Sequence, residues 1–257
     1  MKLYKFIHDT FLIFSRTLLT TLRNPFRIII FGLFQPICFL FLFAPMLDSL
    51  TKVPGFPPGG SLNVFTPGLL IMMAIYSSAF VGFGLIGDMR NGVINRMRVT
   101  PASRLALLLG RSLTDMFILL MQSLILITIA TLFGLKLNIP GIILSLLLVM
   151  LVGLMISSFS YTIALLTKNE FMLAPTINLF LIPLQLNSGI TLPLSLAPAW
   201  INKIALFNPL AYAVSAAREL FNGNFYNSTV ITGFAVLAVM ACLSVYFASR
   251  TFKNLNA

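Results

Sequence analysis

Charged residues in this chain fall between long apolar runs. Residues 28–47, 53–87, 116–135, 137–167, 171–202 and 220–249 contain no Asp, Glu, Lys or Arg. A bilayer core about 30 Å thick needs roughly 20 apolar residues of helix to cross it, so each run supplies one span. The pattern predicts an all-helical transmembrane fold with six spans, at 28–47, 67–87, 112–135, 141–167, 171–191 and 229–248, forming a single membrane domain over residues 1–257. Pro36 is expected to kink the first span. In the second, Ser78 and Gly82 stand four apart, a small-xxx-small spacing that lets helix backbones approach closely. Gly153, Ser157 and Ser160 give the fourth span a packing face of the same kind.

Two segments depart from the spanning pattern. In residues 1–27, Leu3, Ile7, Phe11, Phe14, Leu18 and Leu22 fall on one stripe at 100° per residue. Lys2, Lys5, Asp9, Arg16 and Arg23 fall opposite. Such a helix lies in the plane of the membrane surface, and Asn24-Pro25 ends it. Residues 192–228 form an outer re-entrant segment. Within it, Asn208-Pro209 reads as a helix start, with Asn as cap and Pro in the first turn, and Asn222-Gly223 reads as its stop. The helix between them reaches only about 20 Å and so dips into, or lies on, the outer leaflet. Leu210, Val214, Ala217 and Phe221 make its apolar stripe; Ser215, Arg218, Glu219 and Asn222 make its polar one. Trp200 just before it suits an interfacial position.

Composition agrees: 58% of residues are apolar and 9% charged, with mean hydropathy +0.98, against roughly 25% charged in soluble domains. The net charge of +11 would suit nucleic acid, but its distribution reads otherwise. With six spans, Lys2, Lys5, Arg16, Arg23, Arg27, Arg90, Arg96, Arg98, Arg104, Arg111, Lys168, Arg250 and Lys253 fall on one side. Lys52, Lys136, Lys203 and Arg218 fall on the other. The positive-inside rule places both termini in the cytoplasm, and no nucleic-acid partner is needed to explain the charge. The first long apolar run is span-sized and follows five basic residues, so no cleavable signal peptide is expected. Cys38 and Cys242 fall in different spans and read as packing residues.

Reactive groups are sparse. His8 is the sole histidine and reads as a polar-face residue of the surface helix. No Gly-x-x-x-x-Gly-Lys-Ser/Thr loop occurs, so the chain has no P-loop for a nucleotide phosphate. His-Glu-x-x-His and Gly-x-Ser-x-Gly are likewise missing. No catalytic or metal-ligating set is expected, which disfavours an intramembrane enzyme. A stand-alone secondary transporter or channel is the rival reading, and the scarcity of charge within the spans argues against an ion-coupled pump. Asp115 follows Arg111 by four residues and is expected to pair with it. The fifth span carries Asn178, Gln185 and Asn187, which serve either interhelical hydrogen bonding or a pathway. Residues 88–111 hold five arginines, either as a topology signal or as a docking element.

The stretches RNP at 23–25, GVINRMRVTPASRLALLLGRSLTD at 92–115 and NPLAYAVSAARELFNG at 208–223 resemble the ABC-2 type permeases, and the middle one the daunorubicin-type drug-resistance branch. The resemblance implies a non-catalytic membrane subunit of an ATP-binding cassette exporter in the cell inner membrane. It also implies a second permease, expected to be an identical copy, and a separate ATPase subunit that carries ATP and Mg. No cofactor is then bound by this chain. Residues 88–111 become a cytoplasmic coupling segment, with Val93, Ile94, Arg96, Met97, Arg98 and Arg104 as its contacts. The substrate is expected to be a drug, lipid or glycan of hydrophobic or amphipathic character. Gln35, Ser78, Asn178, Gln185 and Asn187 are the expected path contacts, and Val214, Arg218 and Glu219 belong to an outer gate helix. Members of the family often carry Glu where the second span meets the inner loop; Asp88 stands nearest here.

Overall fold

The computed structural model describes residues 2–23, 32–50, 60–92, 104–135, 138–191 and 193–254. Among these, every regular element is helical. In chain order they are α1 (Lys2–Leu22), α2 (Phe34–Leu50), α3 (Gly60–Ala79), α4 (Gly82–Arg90), α5 (Arg104–Leu132), α6 (Ile139–Thr167), α7 (Glu170–Leu186), α8 (Ala199–Ala205), α9 (Pro209–Phe221) and α10 (Ser228–Asn254), with a short 3-10 turn at Leu194–Leu196. Among the described residues, four stretches are long and apolar enough to cross a membrane: Leu62–Arg90, Leu109–Leu132, Ile139–Thr167 and Ser228–Phe252. The helices at the first and fifth expected spans, α2 and α7, are 17 residues each as described.

The centre of the bundle is α6, which packs on α3, α4, α5, α7, α9 and α10. It can serve so many neighbours because its inward positions are small. A Cβ at Gly153 would meet Ser78 Oγ at 3.3 Å, and one at Gly82 would meet Ser160 Oγ at 2.8 Å. The two small-residue faces seen in the sequence are therefore one interface. At its middle the α3–α4 rod tightens: Phe83 N–H donates to Phe80 O and Gly84 N–H to Val81 O, both three residues back. The Gly82 amide leaves the helical ladder and donates to Ser160 Oγ instead (3.0 Å), so this donor is not orphaned.

Several boundaries differ from the sequence reading. The sequence pattern starts the second span at Pro67, whereas α3 begins at Gly60 and runs through that proline. Gly60 has φ +85° and takes the turn. Pro67 gives up one ladder bond within an otherwise favourable apolar helix. Pro36 falls in the first turn of α2, where a missing N–H is tolerated, just after a turn at Leu33 that separates α2 from the helical Gly32. The seven-residue α8 was not anticipated.

Helix α1 lies against α5. Gly110 lets them touch, for a Cβ there would come within 2.8 Å of the Ile13 side chain and 2.9 Å of Thr10 O. The buried side of α1 is Thr10 and Ile13, while Ile7, Phe11 and Leu22 are exposed. The apolar stripe expected for this helix is thus divided: Phe14 meets Phe117 of α5, while Ile7, Phe11 and Leu22 look outward beside it.

Candidate functional site

The residues foreseen for function fall at three levels of the bundle. The first is the end where α4 stops and α5 starts. Val93, Ile94, Arg96, Met97 and Arg98 lie outside the described residues, and Arg104 is the first residue of α5. What is described is the frame that holds this segment. Arg111 of α5 is ion-paired with Asp88 of α4. The pair joins the two ends of the 89–110 stretch, closing its base. Asp115, one turn further along α5, accepts a hydrogen bond from the Tyr161 hydroxyl of α6.

This corrects the expected Arg111–Asp115 pair. Arg111 is largely buried, 11% exposed at its side chain, so it pairs with the carboxylate that packing brings across from α4. A tyrosine hydroxyl takes the other acid. A buried charge without a partner costs several kcal/mol, whereas an i,i+4 pair on a helix surface is worth only about 0.2–0.5 kcal/mol. Across-helix partners therefore win. A further pair, Arg90–Glu170 at 3.2 Å, is exposed at 71% and 39%. It ties α4 to α7 loosely. Lys168 in the left-handed region (φ +50°) and the Asn169 cap on Phe171 N–H make the α6–α7 turn tight enough to put Glu170 there.

The second level is mid-bundle. The Tyr76 hydroxyl of α3 donates to Gln185 Oε1 of α7 at 2.8 Å, and Ser77 Oγ donates to Gln122 Oε1 of α5 at 2.8 Å. Gln185 is one of the foreseen path residues; Gln122 and Ser77 were not foreseen. Ser78 is buried against Gly153 of α6, on the packing side of α3. Gln35 and Asn178 are half-buried on α2 and α7. The five expected path residues are thus spread over α2, α3, α7 and the cap that follows α7.

The third level is the far end, built around α9. Asn208 caps this helix by accepting from Leu210 N–H at 3.0 Å. Its amide nitrogen also donates to Leu184 O and Asn187 O, at 2.6 and 2.9 Å, closing the last turn of α7. Arg218 extends Nε to Val64 O at 3.0 Å and a terminal nitrogen to Gly189 O at 2.7 Å. One guanidinium thus joins α9, α3 and the hook after α7. Burial lowers the Arg218 pKa to about 10, which leaves it charged at neutral pH. Val214 is fully buried, with Leu210, Ala213, Ala217 and Leu220 around it. Glu219 accepts from Asn224 at 2.8 Å on the surface. The helix is thus part of the core, enclosed by α3, α6 and α10. Its bounds match the cap and stop signals, and within its polar stripe Arg218 serves neighbouring backbone while Glu219 stays at the surface.

Sequence reasoning missed the glycines that let α9 in. A Cβ at Gly141 would lie 2.1 Å from Leu220 O, and one at Gly233 would lie 2.6 Å from Ala216 Cβ. Gly141 sits just inside α6, where it read as a helix boundary. Among the described residues no group of three or more His, Cys, Asp or Glu could hold a metal. Cys38 and Cys242 are free thiols.

Residues 8–222 match the family model of the ABC-2 type transporter. That stretch takes in the base of the 89–110 segment, the central α6 and all of α9. The chain belongs to the ABC-2 type transporter family. It is 29% identical over 223 residues to a putative transport permease ycf38 of Cyanophora paradoxa, covering 84% of this chain and 75% of that one. The daunorubicin resistance ABC transporter permease protein DrrB1 of Streptomyces coeruleorubidus is 25% identical over 203 residues, covering 76% and 70%. A probable doxorubicin resistance permease, DrrC of Mycobacterium tuberculosis, is 26% identical over 221 residues, covering 85% and 78%. The chain is accordingly a membrane transport subunit of the ABC type, with several apolar helices in the membrane.

Proposed function

We propose that this chain is the permease of an ATP-driven exporter in the inner membrane, moving a hydrophobic or amphipathic compound outward. A separate ATPase subunit binds ATP and Mg and docks on residues 88–111. A second copy of the chain completes the membrane part. Six spans place both termini and the coupling segment in the cytoplasm, and α9 beneath the outer surface as the exit-side gate. The observation that carries this reading is the family match over residues 8–222. The relatives named for drug resistance favour a hydrophobic cargo.

The geometry supports a route for force. An ATPase outside the membrane can act on the spans only through a rigid contact, and the Asp88–Arg111 pair binds the two ends of the docking segment into one unit. Tyr161–Asp115 links that unit to α6, and α6 reaches α9. Val93, Ile94 and Met97 supply the apolar side of the contact, and Arg96, Arg98 and Arg104 its basic side. Gln35, Ser78, Asn178, Gln185 and Asn187 serve the path. The reading is tested by co-purifying the chain with a candidate ATP-binding cassette ATPase and assaying proteoliposomes. ATP-dependent movement of a drug such as daunorubicin, with drug-stimulated hydrolysis, is expected. Transport that persists without any ATPase and follows an ion gradient would replace this reading with a secondary transporter.

Topology has its own test. With Cys38 and Cys242 changed to Ser, single cysteines at Gly59 and Asn224 are expected to label from outside intact cells. One at Asn95 is expected to stay unlabelled, and labelling there would invert the arrangement.

A further inference from the structure

The structure holds a cleft of about 410 Å³ between α1 and α5, floored by Met150 of α6. On one wall are Phe6, Thr10 and Phe14; on the other are Leu113 and Phe117. Its volume lies in the range of specific small-molecule sites, roughly 300–1,000 Å³. Such sites ordinarily mix apolar walls with a few placed polar groups, and this one lacks them. The one hydroxyl in the lining, Thr10 Oγ1, already donates to Phe6 O at 2.8 Å. A sugar, a headgroup or a peptide would lose its hydrogen bonds to water here and regain none. The lining suits an apolar occupant.

Length and surroundings say which hydrocarbon. Along α5 the lining runs from Leu113 to Leu120, about 10 Å of helix rise. It begins just inside the Leu109 end of that apolar stretch and stops near its middle. One leaflet of a bilayer core is about 15 Å deep, so the cleft matches a chain descending through a single leaflet. Its rim is open to lipid through Ile7 and Phe11, which are 60% and 62% exposed. Gly110 holds α1 against α5 at Ile13 and Thr10, and Phe14 meets Phe117 edge to face at 6.2 Å. The walls are thus held together on one side.

Charge decides the headgroup. Residues 2–23 carry Lys2, Lys5, Arg16 and Arg23 against Asp9. At 100° per residue, Arg16 and Arg23, both exposed, sit on the side of α1 away from the cleft. That side is one helix diameter, about 10 Å, above the hydrocarbon, which is headgroup level. Basic residues at a membrane surface each favour anionic lipid about fivefold. We infer that the cleft between α1 and α5 is a specific site for one acyl chain of an anionic phospholipid, whose headgroup is held by the basic face of α1.

The test uses the full chain in nanodiscs without any ATPase, so its result is independent of the transport reading. Trp200 is the only tryptophan; in a Trp200→Phe background, Phe117→Trp places a reporter in the cleft. Leu243→Trp places a control on an exposed face of α10. Dibrominated phosphatidylglycerol and dibrominated phosphatidylcholine are compared at equal, low mole fraction. The cleft reporter is expected to be quenched about threefold more strongly by the anionic lipid, a modest fraction of the charge effect above. The control is expected to respond alike to both. Met150→Phe, which fills the floor, should remove the difference; Arg16→Gln with Arg23→Gln should reduce it. Equal quenching by the two lipids at Phe117→Trp, or a cleft reporter that behaves like the control, overturns the proposal. Either comparison is made in the unfilled cleft and does not depend on the filled variant folding.

Discussion

The two ends of this bundle are held together by different chemistry. At the end with Asp88 and Arg111, the helices meet through charged and hydroxyl side chains that reach across from α4, α5 and α6. At the α9 end they meet through backbone. Gly141 lies against Leu220 O, and Arg218 and Asn208 donate to main-chain carbonyls. Side-chain partners can be exchanged for others of complementary charge, whereas a carbonyl oxygen 2.1 Å from where a Cβ would sit cannot move without its helix. The first end is thus held by exchangeable side-chain partners, the second by close backbone packing.

The largest difference between the two ends is expected at Gly141. Adding a methyl group there forces α9 away from α6, and over-packing of this kind costs about 1–3 kcal/mol. Gly141→Ala is expected to lower the thermal midpoint by several degrees in detergent, read by size-exclusion chromatography after heating, and Gly141→Val to abolish the folded peak. Gly87→Ala at the opposite end meets nothing within 4 Å and should be neutral. An equal loss at both glycines would mean that α9 is not packed against α6 as described.

Arg218→Met should come next. It leaves the carbonyls of Val64 and Gly189 without their donor, and unsatisfied buried acceptors cost about 1–3 kcal/mol. Lysine should recover only part of this, because it lacks the planar fork that reaches two carbonyls at once. Full rescue by Arg218→Lys would show that charge, and not geometry, holds this end.

At the charged end the expected cost is smaller and exchangeable. Asp88→Asn or Arg111→Gln should each cost about 1–2 kcal/mol, less than the roughly 3–5 of a fully buried pair, since Asp88 is 36% exposed. The double exchange Asp88→Arg with Arg111→Asp should recover at least half of the loss in a double-mutant cycle. The smallest effect belongs to Arg90→Gln, which removes a solvent-exposed pair worth under about 1 kcal/mol.

The same contrast explains which features could be read from sequence. Helix α9 has the bounds Pro209–Phe221 that its flanking Asn-Pro and Asn-Gly signals imply, because capping is chemistry among near neighbours. The Ser78–Gly82 spacing pointed to a close approach, and α6 supplies it. Three-dimensional partners were hidden. Arg111 has an acid four residues away in sequence and takes another from α4, because burial, not sequence distance, sets the cost of leaving it unpaired. Asn208 looked like a cap and is also the clasp on α7. Gly141 looked like a boundary because a glycine near a helix start is ambiguous until the neighbour it admits is known.

The proposed function requires force to enter through residues 88–111 and to travel along the ion-paired base. The most direct measurement is substrate-stimulated ATP hydrolysis by the reconstituted permease–ATPase complex carrying Ile94→Asp or Met97→Asp, beside the wild type. Expression and membrane insertion are expected to be unchanged while stimulation by substrate is lost. Arg96→Lys with Arg98→Lys, which keeps the charge but loses bidentate pairing, should insert normally and couple poorly. Full stimulation in all of these variants would contradict the account, for residues 88–111 would then set topology alone.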